Sequence, residues 1–266
     1  KDKSFYTGIS KSKSGRFVRI DSQSTLASEV RLLDADRPTE PFRLFLPRER
    51  DHEYAVEDLG DRFVVRTNWQ AKNFRLMVAP AATTSDRATW RDLAAHRDDI
   101  FIDDFEAFPG FVAIAERSMG LRRLRSLPLD GSGERYVESD EPDSTAWLAY
   151  NAEQATTKLR YGFTSLRTPE STFEVDMQTG ARVLLTHHRK LGRWLQLGGH
   201  ADGDTDLAQV ALREAEEESG LVDLAVDAAI FDIDRHAIPA RGDEPEHWHY
   251  DVRFVVRSTG SEAFAV

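Results

Sequence analysis

The sequence predicts a multi-domain protein in which an all-β propeller fragment of about four blades is followed by an α/β domain. Strand-like segments that carry an aromatic residue recur at a regular spacing through residues 1–180. A capped amphipathic helix followed by strand-like segments marks residues 181–266. We therefore divide the chain of 266 residues after residue 180.

The first part is built on a repeated unit. One aromatic residue lies in each of four strand-like segments, with separations of 46, 48 and 50 positions: Phe17, Phe63, Phe111 and Tyr161. A second strand-like run follows each of them, at 29–33, 73–78, 122–127 and 172–177. A period of roughly 40 to 50 residues with several short strands per unit is typical of propeller blades. A non-repeating β-sandwich is the alternative, but four recurrences of the same internal order favour the propeller.

Several runs of the first part resemble a known peptidase family. These runs are DHEY at 51–54, LGDRF at 59–63, TNWQAKNFRL at 67–76 and RYGFTSL at 160–166. Over residues 1–180 the chain resembles the N-terminal propeller domain of oligopeptidase B, in the prolyl oligopeptidase family. The resemblance implies that peptidase activity belongs to a separate α/β-hydrolase domain with a Gly-x-Ser-x-Gly motif. The sequence lacks that motif, so we assign no catalytic triad and expect no peptidase activity.

The second part contains three glutamates at helical spacing. Glu214, Glu217 and Glu218 stand at i, i+3 and i+4, so a helix places their carboxylates on one face. Glu216 falls off that face. Like charges on one face repel each other, and a bound cation would offset the repulsion. The spacing therefore predicts a metal site.

Capping signals surround these glutamates. Asp204, Thr205 or Asp206 can cap the start of the helix, and Gly220 is the expected left-handed stop. The apolar residues at helical spacing are Ala208, Ala211, Leu212 and Ala215. They would face the core, so we expect the neighbouring carboxylates to be partly shielded from solvent.

A solvated acidic helix end is the alternative to a metal site, and the order of the surrounding residues decides between the two. The segment 198–221 matches the box of the Nudix hydrolases at these positions: Gly199, Arg213, Glu214, Ala215, Glu217, Glu218, Gly220 and Leu221. One position departs from the box. Thr205 replaces the first glutamate, with Asp204 and Asp206 on either side, so the carboxylate that would pair with Arg213 is shifted or replaced.

The Nudix resemblance implies a chemistry and a role for each matched residue. Glu217, Glu218 and the carbonyl of Gly199 would be metal ligands, Glu214 a ligand or general base, and Arg213 an orienting group. The cofactor would be Mg²⁺ or Mn²⁺, since hard carboxylate oxygens suit both ions. The implied reaction is hydrolysis of a nucleoside diphosphate linked to another moiety. The alternative is a non-catalytic propeller fragment of a serine peptidase carrying an inactive, truncated Nudix segment.

The amino-acid composition limits the classes of partner that we expect this chain to bind. A formal net charge of −11 argues against nucleic acid, so the expected partner is a small phosphate-containing molecule. No apolar run approaches the length of a membrane span, and no membrane partner is expected. The absence of cysteine fits a reducing cytoplasm.

Histidines do not predict a zinc site in this sequence. Besides His200, five of the eight histidines lie in the C-terminal third: His187, His188, His236, His247 and His249. The chain has no cysteine, and none of these histidines forms a helical i, i+4 pair like that of zinc hydrolases. We therefore interpret them as lining a phosphate and base pocket or a strand surface.

The ends and the junction carry further expectations. The chain starts at Lys1 and stops at Val266 soon after a strand, so we expect an excerpt or chimera whose Nudix part is truncated. Residues 171–185 fit either the last propeller hairpin or the first Nudix hairpin, so the second domain could start near 171. An open ring of four blades leaves strand edges unpaired, and we expect self-association through those edges.

Overall fold

The computed structural model describes residues 4–137, 139, 141–177, 180, 182–188, 193–240, 242 and 245–260. It divides into two compact units. The first comprises Lys1–Phe163 and Phe173–Arg182, and the second comprises Thr164–Thr172 and Val183–Val266. No helix in the described ranges has the length and hydropathy needed to cross a membrane.

The strands of each sheet in the first unit follow chain order, and the first three sheets are antiparallel. The first sheet contains Tyr6–Lys11 (β1), Phe17–Gln23 (β2), Ser28–Asp34 (β3) and Arg43–Leu44 (β4). The second contains Tyr54–Asp58 (β5), Arg62–Thr67 (β6), Arg75–Pro80 (β7) and Arg91–Ala94 (β8), with a 3₁₀ helix at Arg87–Thr89. The third contains Phe101–Ala107 (β9), Phe111–Ser118 (β10), Leu121–Pro128 (β11) and Arg135–Tyr136 (β12). Thr145–Leu148 (β13), Lys158–Thr164 (β14) and Ser171–Asp176 (β15) are neighbours in a fourth sheet.

The predicted repeat is confirmed. Phe17, Phe63, Phe111 and Tyr161 lie on β2, β6, β10 and β14, the second strand of each successive sheet, and all four are buried. The second predicted runs overlap β3, β7, β11 and β15, with the run at 73–78 beginning two residues before β7. The aromatic residue therefore marks the second strand of every blade.

Neighbouring blades pack face to face, which distinguishes this arrangement from a two-layer sandwich. Phe63 contacts Phe17 of the first sheet, and Val65 belongs to the same buried cluster. Val64 belongs instead to a buried cluster that includes Val112 of the third sheet. Successive side chains of a strand point to opposite faces, so a blade buried on both faces has consecutive buried residues. Residues 63–65 of β6 show this pattern.

The second unit is a mixed α/β assembly. Arg182–His188 (β16) and Arg193–Leu195 (β17) form an antiparallel hairpin. The helix α1 spans Leu207–Ser219 and packs against Leu224–Val226 (β18) and Val256–Ser258 (β21), which pair with each other. Asp232–Ile238 (β19) and His247–Arg253 (β20) form a second antiparallel hairpin.

The predicted helix ends are confirmed. The side chain of Asp206 accepts a hydrogen bond from the Gln209 N–H at 3.2 Å, and so it is the N-cap. Gly220 adopts φ 65° and its N–H donates to the Glu216 carbonyl at 2.9 Å.

The inward face of α1 differs in part from the predicted one. Of the four predicted apolar residues only Ala215 is buried, and Val210 and Ser219 join it. Ala208, Ala211 and Leu212 are half-buried. The strands on which the helix packs, β18 and β21, have only three residues each, so they cover a short part of its surface.

Candidate active site

The loop before α1 is held against two of the helix glutamates. The Gly198 N–H donates to Oε2 of Glu218 at 3.0 Å. The Glu214 carboxylate lies so close to Gly199 that a Cβ at this position would collide with it. A side chain at position 199 would have to displace the Glu214 carboxylate. The loop at Gly198 and Gly199 thus contacts Glu218 through the first glycine and Glu214 through the second.

Solvent exposure differs among the three glutamates. The Glu214 side chain retains 19% exposure, whereas Glu217 and Glu218 are exposed. The shielding predicted from the sequence thus holds for Glu214 and is wrong for Glu217 and Glu218. The reason is the position of the helix contacts, because Val210, Ala215 and Ser219 point into the unit while residues 216–218 point outward.

Arg213 lies beside Glu214 and Asp204. Its Nη2 is 3.8 Å from Oε1 of Glu214, and its Nη1 is 3.9 Å from Oδ2 of Asp204. Asp204 therefore provides the carboxylate that Thr205 cannot, while Asp206 caps the helix. Both distances exceed a hydrogen bond, and an exposed pair of this kind contributes about 0–1 kcal/mol. The orientation of Arg213 is correspondingly weak.

The donor atoms at this site are of the chemical type that a hard divalent cation prefers. Three carboxylates and a backbone carbonyl are oxygen donors, and Mg²⁺ keeps several waters when such groups bind it. Among the described residues, the group whose candidate ligand atoms all lie within 4.8 Å of one another is Asp234, His236 and Asp251. The carboxylates of Glu214, Glu217 and Glu218 do not meet this criterion. The metal-ligand roles of Gly199, Glu214, Glu217 and Glu218 therefore stay predictions.

The group formed by Asp234, His236 and Asp251 was missed by the sequence analysis. These residues lie on the facing strands β19 and β20, and Asp234 is directly opposite Asp251. The His236 ring is also 5.7 Å from the His249 ring, which lies 6.0 Å from that of His200. The sequence did contain a signal for this group. Asp234 and His236 are two residues apart, as are His249 and Asp251, and residues at this spacing lie on one face of a strand.

The chain matches two known families. Residues 1–188 match the prolyl oligopeptidase, N-terminal beta-propeller domain. The chain belongs to this propeller family. Residues 172–264 match the NUDIX domain, which includes the Gly199 loop and α1. The two matches overlap over 172–188, so the boundary that we placed after residue 180 stays a prediction.

Relatives of this propeller family are longer than the chain. Dipeptidyl aminopeptidase BI of Pseudoxanthomonas mexicana is 45% identical over 182 residues, which are 68% of this chain and 25% of the relative. Protease 2 of Moraxella lacunata is 30% identical over 185 residues, which are 70% of this chain and 26% of the relative. The chain thus spans about a quarter of the length of the curated relatives that it matches.

Solved structures support the fold. Oligopeptidase B from Trypanosoma brucei aligns with a TM-score of 0.65 at 22% identity, covering 97% of this chain and 32% of that protein. Oligopeptidase B from Leishmania major aligns with a TM-score of 0.64 at 24% identity, covering 93% of this chain and 31% of that protein. At these identities the likeness concerns the fold alone.

Proposed function

We propose that the Nudix region of this chain is a divalent-metal-dependent hydrolase of a nucleoside diphosphate linked to another moiety. One observation carries the proposal: within the segment that matches the NUDIX domain, the loop at Gly198 and Gly199 meets the Glu214 and Glu218 carboxylates of α1. The expected setting is the cytoplasm, supported by the absence of cysteine.

Each residue has a distinct role in this proposal. Glu217, Glu218 and the Gly199 carbonyl would hold Mg²⁺ or Mn²⁺, which when bound polarises a phosphoryl oxygen and acidifies a water molecule. The Glu214 carboxylate, the least exposed of the three, accepts a proton from the attacking water at Oε1 or Oε2. Arg213, with its Nη2 3.8 Å from Oε1 of Glu214, would act on that carboxylate through its charge.

The test is hydrolysis of a panel of nucleoside diphosphate derivatives by the full chain with Mg²⁺, followed by ³¹P NMR of the products. We expect phosphate-containing products from at least one derivative. Glu218→Gln removes a ligand oxygen while keeping the size of the side chain, so turnover should fall. The expected loss of transition-state stabilisation is several kcal/mol, the approximate scale of metal Lewis-acid catalysis.

Glu216→Gln is the matched control, because Glu216 lies on the same helix off the glutamate face. It should leave turnover nearly unchanged. Equal losses in Glu216→Gln and Glu218→Gln would contradict the proposed site, and the cluster would then be a solvated acidic surface.

A second candidate is a non-catalytic propeller fragment with an inactive Nudix segment. The exposure of Glu217 and Glu218 and the separation of the three carboxylates favour it. It predicts no product above background from the whole panel, with Mg²⁺ or with Mn²⁺. Neither candidate includes peptidase activity, since the sequence has no serine nucleophile motif.

A further inference from the structure

The hairpin of β19 and β20 has two chemically different faces. In its antiparallel register Ile233 lies opposite Val252, and Ala237 opposite Trp248. The alternate positions of both strands carry, apart from Ile238, charged residues and histidines: Asp232, Asp234, His236, His247, His249, Asp251 and Arg253. Because side chains alternate along a strand, all of the latter project from one face.

Three side chains on this polar face bring candidate ligand atoms together. The ligand atoms of Asp234, His236 and Asp251 all lie within 4.8 Å of one another. Nδ1 of His236 is 3.7 Å from Oδ2 of Asp251, which is too long for a hydrogen bond. Oδ1 of Asp234 accepts from the Arg235 N–H at 2.8 Å, and its second oxygen is not used in that bond.

The charges of this face are only partly compensated. Asp234 and Asp251 are directly opposite each other, and like charges at such positions destabilise a strand pair. The nearby cation is Arg253, whose Nη1 donates to Asp232 at 2.5 Å. Its Nη2 stays 3.7 Å from both Asp234 and Asp251, beyond hydrogen-bond distance. An additional cation between the two carboxylates would offset their repulsion.

We propose that Asp234, His236 and Asp251 bind one divalent first-row transition metal ion, such as Zn²⁺, at a site separate from the α1 glutamates. An imidazole nitrogen among carboxylate oxygens favours such an ion over Mg²⁺, which prefers oxygen ligands alone. Three protein ligands leave a coordination position for water or for an anionic ligand. The His249 ring lies edge to face with the His236 ring at 5.7 Å. The site does not depend on hydrolase activity.

The test is calorimetric titration of the full chain with Zn²⁺ in excess Mg²⁺, which saturates oxygen-only sites. We expect saturable binding of one equivalent. His236→Ala and the near-isosteric Asp251→Asn should each weaken it by at least the roughly tenfold loss that follows removal of even an outer-shell partner. Circular dichroism verifies that each variant is folded.

Two controls make the assignment specific. His247→Ala changes a histidine of β20 whose ring contacts His249 but which is outside the ligand triple, so Zn²⁺ affinity should be unchanged. Glu217→Gln on α1 should also leave it unchanged. Absence of saturable Zn²⁺ binding, equal weakening by His247→Ala, or loss of binding in Glu217→Gln would each overturn the proposal.

Discussion

Two titratable side chains of the first unit, the buried His52 and the half-buried Glu57, act on stability in opposite directions. His52 is buried, with Nδ1 accepting from Arg87 at 2.9 Å and Nε2 donating to Thr67 at 2.9 Å. Burial and then the charge of Arg87 lower the pKa of His52 from 6.5 to about 4. Burial likewise raises the pKa of the Glu57 carboxyl from 4.5 to about 7.

The sign of each contribution follows from proton binding. Between pH 6.5 and about 4 the unfolded chain protonates His52 while the folded chain does not, so stability falls as pH decreases. Between pH 4.5 and about 7 the folded chain keeps Glu57 protonated while the unfolded chain ionises, so stability falls as pH increases. The two slopes oppose each other where the windows overlap.

Without His52, the pH dependence of the free energy of unfolding should follow the contribution of Glu57. We expect His52→Gln to remove up to about 3 kcal/mol of pH-dependent stability across the His52 window, at about 1.4 kcal/mol per pKa unit. Urea unfolding of wild type and variant at several pH values measures this difference. His96→Gln, at a half-buried histidine of the same unit, is the control. Parallel pH profiles for His52→Gln and wild type would contradict the assignment.

At the scale of single elements, burial of both faces makes the inner blades depend on their apolar strands. Leu76 on β7 has no solvent exposure and packs between the second and third sheets. Leu76→Ala leaves a cavity and should lower the free energy of unfolding by about 2–5 kcal/mol. Thermal or urea unfolding measures the change.

The same substitution on the surface is the control for Leu76. Leu166 is 91% exposed, so Leu166→Ala should change stability by no more than about 0.5 kcal/mol. If both variants unfolded at the same denaturant concentration, the interface between the second and third blades would not contribute as described.

At the scale of the molecule, the first unit presents an edge strand. β1 is the outermost strand of its sheet, and Tyr6 and Ile9 on it are 87% and 70% exposed. Edge strands with apolar side chains pair with other chains. We expect residues 1–180 to self-associate in size-exclusion chromatography with light scattering, and Ile9→Lys to reduce the associated fraction. A monodisperse monomer at all concentrations would contradict this expectation.

Local periodicity let the sequence determine the blades and the helix. The aromatic residue of each blade, from Phe17 to Tyr161, repeats because every blade buries an aromatic side chain of its second strand. The ends of α1 at Asp206 and Gly220 were also predictable, because a cap satisfies backbone groups within one helical turn. Such features depend on residues that are close in the chain.

Tertiary structure alone decided which distant residues meet. Strand register places Asp251 opposite Asp234, and the loop conformation brings Asp204, rather than Thr205, toward Arg213. It also leaves Glu217 and Glu218 exposed, because α1 packs through Val210, Ala215 and Ser219. Register and packing depend on many contacts between segments that are far apart in the chain. The spacing of residues along one segment does not determine those contacts.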